Sequence, residues 1–181
     1  MQRTIRFLLL ASFLHFLSPP VLALELFGVN LTDTGRDQLR TAVKKAGAKL
    51  ITEAGKDGFF DSYDSSGLMP NSSRLYLGFA DTDQRFAFAE YEFNGLQQPA
   101  LLQKLVEKYG KPVVKSGKFL TDSRYLWQTD GVDIMFYSDW EAYRSRLIYS
   151  VPAQLQRLRE AKRAKDQQQN ATLAEYQESA Y

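Results

Sequence analysis

The chain has 181 residues, 23 Lys and Arg against 21 Asp and Glu, one histidine and no cysteine. That length suits one domain with a substantial core. The near-neutral balance, without a basic face, excludes nucleic acid as an expected partner, and the missing cysteine excludes a disulfide framework, thiol catalysis and a lipid-bearing cysteine.

Arg3 and Arg6 precede an apolar run over residues 7–17, followed by Ser18, Pro19 and Pro20 and then Val21-Leu22-Ala23. This is the pattern of a secretory signal peptide, with cleavage expected after Ala23. The two prolines would break the run as a spanning helix near its end. No later apolar run approaches spanning length, so no membrane span is expected after cleavage. Loss of Arg3 and Arg6 with the leader leaves 21 charges of each sign, and the single histidine, His15, leaves with them. From Leu24 onward there is neither His nor Cys, which excludes Ser-His-Asp and Cys-His catalysis, structural zinc and nearly all transition-metal sites. The expected location is the bacterial periplasm or the exterior, with no cofactor and no metal.

Residues 24–29 form a short apolar strand or arm. Thr32-Asp33-Thr34, with Asp37 three residues beyond Thr34, suggests a capping-box-like start to a helix over residues 35–46. Its apolar stripe is Leu39, Ala42, Val43 and Ala46, and Gly47 follows its end. Residues 48–51 are extended, Gly55 to Gly58 a turn, and residues 59–63 alternate as a strand. Residues 74–93, RLYLGFADTDQRFAFAEYEF, read as two strands joined by a polar corner at residues 81–84. A second helix opens near Pro99, carries Leu101, Leu102, Leu105, Val106 and Tyr109, and stops at Gly110 and Pro112. Residues 115–122 read as polar loop. Strands over residues 125–128 and 132–137 flank an Asp130-Gly131 turn, residues 138–143 make a corner, and residues 146–151 are a last strand. From Gln154 the composition turns charged and Gln-rich, a helix expected to fray.

The chain therefore runs helix and strands twice in the same order. The expected fold is α+β, with two αβββ units (about residues 32–93 and 97–152) whose antiparallel sheet or sheets pack on the two amphipathic helices, plus a tail over residues 153–181. Any antiparallel α+β domain could produce the same rhythm without a duplication.

Chemistry-bearing candidates are few. Glu90 and Glu92 stand two apart on one strand, roughly 6–7 Å apart at the strand rise. That overlaps the separation of paired glycosidase carboxylates, against the alternative of a solvent-facing strand side. Asp61, Asp64, Asp81 and Asp83 sit at turns but lack the spacing of a calcium loop. Tyr125, Trp127, Tyr137, Trp140 and Tyr143 crowd the second unit. Trp127 is expected in the core, whereas Tyr137, Trp140 and Tyr143 are the candidate binding aromatics, because exposed Trp and Tyr anchor interfaces and sugar surfaces.

The segments Phe27-Gly28-Val29-Asn30-Leu31, Arg36-Asp37-Gln38-Leu39-Arg40 and Phe86-Ala87-Phe88-Ala89-Glu90-Tyr91 resemble small exported Gram-negative proteins of unassigned function. The doubled element order is similar to the β-lactamase-inhibitor-protein and outer-membrane-assembly-lipoprotein type of architecture over about residues 34–152. That resemblance implies the tandem fold and carries no catalytic residue. The functional expectation is a non-enzymatic binding module whose partner is another envelope protein or a cell-wall glycan. The alternatives are a carboxylate-dependent glycan hydrolase using Glu90 and Glu92, and an envelope-interaction protein acting through its basic tail.

Overall fold

A computed structural model describes residues 24–53, 58–80, 83–116 and 123–179. The expected signal peptide, Asp81 of the hairpin corner and most of the expected loop at 115–122 lie outside the described residues. In chain order the elements are β1 (Glu25–Leu26), β2 (Val29–Asn30), α1 (Arg36–Lys45), β3 (Lys49–Thr52), β4 (Phe60–Asp64), β5 (Ser72–Phe79) and β6 (Phe86–Asn94). They continue with α2 (Pro99–Tyr109), β7 (Val114–Ser116), β8 (Arg124–Thr129), β9 (Val132–Asp139), β10 (Arg144–Ser150) and α3 (Pro152–Ser179). No helix among the described residues is long and apolar enough to cross a membrane.

β1 and β2 form a small hairpin, and the other strands form one continuous antiparallel sheet in the order β3-β4-β5-β6-β10-β9-β8-β7. The architecture is the expected α+β one, with each helix followed by a four-strand meander. The additional strand in each half is the short outer one, β3 or β7. The halves meet where their last strands pair, with Arg146 opposite Glu92 and Leu147 opposite Tyr91.

Period-two alternation sorts the side chains of the central strands onto two faces. Leu75, Leu77 and Phe79 of β5, Ala89, Tyr91 and Phe93 of β6, and Leu147 and Tyr149 of β10 are buried on the first face with Ile134, Phe136, Tyr125 and Trp127. α1 closes this face over the first half through Leu39 and Val43, both fully buried. Arg40 anchors it to β4 with two 2.8 Å bonds to the carboxylate of Asp61, a side chain with no exposed surface. Arg36 lies 4.7 Å over the ring of Phe79. α2 closes the second half, and the Trp127 indole donates to the carbonyl at its C-terminal cap, Gly110, at 2.8 Å. Trp127 is thus the core residue its sequence suggested.

The capping box expected at Thr34 is not formed. Gly35 is the N-cap of α1 with no side-chain bond, and the Thr34 hydroxyl is buried without a partner. The helix start is instead tied down by tertiary contacts, with Arg36 N–H donating to Gln84 O at 3.0 Å and Phe86 N–H to Thr34 O at 3.0 Å. The Asp130-Gly131 turn is as expected, with both residues at positive φ (51° and 77°) between paired Thr129 and Val132, as a two-residue hairpin of primed type requires.

α3 starts directly after β10 and lies on the second face over β5 and β6. Its seat is prepared by Gly78, whose cross-strand partner is Phe88. A Cβ at Gly78 would stand 2.0 Å from the Phe88 ring, so only glycine lets that ring lie flat on the strand. Leu158 is buried, the one such residue among those of the helix whose burial is described, and Lys165 lies 5.5 Å from the Phe59 ring. From Asp166 to Thr172 every residue is exposed, so this stretch of the helix is not supported by core packing.

Several tyrosines tie this core to pH. Burial pushes the Tyr63 phenol from 10.0 up to about 12, and burial likewise raises Tyr91 and Tyr149. Unfolded tyrosines lose protons near pH 10 that the folded ones retain. Stability contributed by these groups is therefore complete below pH 10 and is lost as pH rises through the folded values, up to about 1.4 kcal/mol per pH unit per tyrosine. Urea midpoints should fall between pH 9 and pH 11, and a constant midpoint would contradict this. The Tyr63 hydroxyl is buried without a partner, so Tyr63→Phe should leave neutral-pH stability unchanged or higher while flattening the alkaline slope.

Candidate functional site

The second face carries the candidate site. One row of Cα partners crosses it from edge toward edge: Lys49, Asp64, Arg74, Glu92, Arg146, Tyr137 and Arg124 on successive strands β3, β4, β5, β6, β10, β9 and β8. Charge alternates along its first five positions and ends on a Tyr–Arg pair. Opposite charges facing across strands contribute about 0.2–1 kcal/mol each. The next row is Ser62, Tyr76, Glu90, Ile148, Met135 and Leu126. It is apolar over the second half of the sheet.

Arg146 is the hub where these rows meet. Its guanidinium reaches Glu90, Glu92 (3.3 Å) and Asp139 (3.1 Å). Arg144 adds a 2.5 Å bond to the other oxygen of Glu92. Two cation–aromatic contacts flank the group, Arg124 at 5.7 Å from the Tyr137 ring and Arg74 at 6.0 Å from the Tyr76 ring. A delocalised guanidinium with fixed donors suits this multiple pairing, which a lysine could not reproduce.

Glu90 and Glu92 therefore share a face, but it is not the freely wetted one suggested by simple alternation. Glu92 is only 4% exposed, and both carboxylates are held by arginine. Burial raises the Glu90 pKa, the direction a proton donor needs, while its bond to Arg146 pulls the other way. An acid–base pair needs one carboxylate free to reach substrate or water. Here both are committed to guanidinium groups, so the arrangement suits recognition and rigidity better than proton transfer. Among the described residues no group of three or more His, Cys, Asp or Glu could hold a metal.

The three candidate aromatics separate. Tyr137 lies in the charged row, half-buried, its phenol raised by burial and then by Glu90. Trp140 and Tyr143 sit in the β9–β10 turn, 54% and 67% exposed. Asp139 links the two places, because one oxygen pairs with Arg146 and the other accepts the N–H of Ala142 in the turn. On the far side of the apolar row, α3 forms a bank. Leu126, Met135 and Asp133 of the sheet and Leu155, Arg159 and Arg163 of the helix line a groove of about 500 Å³.

Sequence reading missed Arg124, Arg144, Arg146 and Asp139. One signal was available: Arg144-Ser-Arg146 has the same two-residue spacing as Glu90-Tyr-Glu92, so pairing the two strands places arginines among carboxylates. Comparison with family models, curated proteins and solved structures gives no match.

Removing the hub should cost more than removing a spoke. Arg146→Met would leave three carboxylates crowded on a partly buried face, at a cost of about 2–4 kcal/mol. Glu90→Gln leaves Arg146 two other partners and should cost about 1 kcal/mol or less. Urea denaturation near neutral pH measures both, and equal costs would contradict the hub assignment.

Proposed function

We propose that the protein is a non-enzymatic binding module of the bacterial envelope, exported to the periplasm or beyond, that holds a partner protein on the second face of its sheet. The single observation carrying this reading is the row of alternating charges across that face, ion-paired where Arg146 meets Glu92, left open beside α3 and bordered over the second half of the sheet by an apolar row. Paired charges of alternating sign present a fixed pattern without a large net field, which favours specificity over indiscriminate attraction. Tyr137 within the row, and exposed Trp140 and Tyr143 in the β9–β10 turn beside it, are residue types that anchor interfaces. The capture of both Glu90 and Glu92 by arginine counts against the hydrolase alternative, and the mixed charge of α3 counts against attachment through a basic tail alone.

The test is site-specific photocrosslinking in the exporting cell. A crosslinker at Tyr137 or Trp140 should trap a partner, whereas one at Thr41 or Gln103, exposed on α1 and α2, should not. Trp140→Ala with Tyr143→Ala should weaken recovery about tenfold, as expected for interface aromatics. Equal trapping at Gln103, or none at Tyr137 and Trp140, would overturn the assignment.

A further inference from the structure

The first face holds a feature unconnected with the charged row. α2 carries five apolar residues at helical spacing, yet only Leu105 is buried, while Leu101, Leu102 and Tyr109 are half-exposed and Val106 is exposed. α1, by contrast, buries both Leu39 and Val43 completely. A surface helix normally hides such a stripe against the core. Here part of it faces a cleft of about 350 Å³, floored by Phe93, Leu147 and Tyr149 of the two central strands.

The cleft has a physical origin in the fold. α1 is anchored over β4 and β5, and α2 is anchored over β8, so the middle of the sheet is covered from its sides. The loop carrying Leu68 and Met69 forms the opposite wall. One end is bridged by Asn71 donating to Gln98 at 3.4 Å. At the other lies Tyr109 beside Tyr149, whose phenol is held high by burial and by its bond to Tyr109.

The charges of this cleft are one-sided. Its lining contains no Asp or Glu, and its two charged residues are Lys104 and Lys108. Both are exposed, four apart on one side of α2, and neither is in an ion pair among the described residues. A concave apolar floor of this size lies within the range of small-molecule sites. At about 30 Å³ per water-sized group, it accommodates roughly a dozen heavy atoms, enough for one chain and too few for two.

We infer that the cleft between α2 and the Leu68–Met69 loop binds a single-chain amphiphile with an anionic head, its chain along the half-exposed Leu68, Met69, Leu101 and Tyr109 and its head between Lys104 and Lys108. The chain covers the apolar walls that the fold leaves half-exposed, above a floor already closed to water, and the lysines select a negative head over a neutral one.

Calorimetric titration of the purified protein with laurate, dodecanol and a lysophosphatidylglycerol, each below its micellar concentration, tests this. Laurate should bind one to one with a Kd of about micromolar order. Lys104→Glu with Lys108→Glu should weaken laurate about tenfold and change dodecanol about twofold at most. Leu101→Trp, and independently Ala100→Trp at the exposed rim, should abolish both while the thermal transition is retained. Tighter binding of the lysophospholipid than of laurate would identify the head as phosphate rather than carboxylate, with the site unchanged. No binding by folded wild type, binding that survives both tryptophan variants, or equal effects of charge reversal on laurate and dodecanol would overturn the proposal.

Discussion

The pairing of β6 with β10 is the constraint on which the rest of the molecule depends. It joins two four-strand meanders into one sheet, and its register determines what meets on each side. On one face it sets Arg146 against Glu92 and brings Arg144 and Glu90 within reach; on the other it sets Leu147 against Tyr91. A shift of one residue would exchange the faces, placing arginine in the apolar core and leucine in the charged row. The ion pairs and the apolar packing therefore enforce the same register from opposite sides.

The two faces then diverge in character. On the first, packed aromatic and aliphatic side chains do the stabilising, and the fully buried carboxylate of Asp61 is paired with Arg40. On the second, stability from burial is confined to the band beneath α3, where Phe88 lies on Gly78. Beyond that band the sheet presents the charged row, ion-paired around Arg146 and Arg144. Buried or half-buried ion pairs are weak contributors to net stability but strongly penalise wrong arrangements. That makes the central row better suited to fixing strand order and presenting a defined surface than to adding stability.

Much of this was legible in the chain itself. Alternation in residues 86–93 and 132–137, the Asp130-Gly131 turn and the apolar stripe with Gly47 place α1, β6, β8 and β9 close to where they lie, because each depends on local chemistry. What was not legible depended on distance along the chain. β7 is three residues, Val114-Lys115-Ser116, defined by pairing with β8 rather than by propensity. Thr34 looked like a cap, but contacts from Gln84 and Phe86 on the β5–β6 hairpin replace that role. Glu92 looked wet because its arginine partner Arg144 lies 52 residues later in sequence, and Trp140 gives no local sign of the Asp139 bridge that ties its turn to Arg146.

Native-state hydrogen exchange tests the central claim most directly. If the β6–β10 seam unites the halves, amides of Phe86–Asn94 and Arg144–Ser150 will be the slowest to exchange. They will open together with β5 and β9 at one common free energy, that of global unfolding. Opening of either meander at a distinctly lower free energy, with the other still protected, would show that the halves are independent units and would contradict the account.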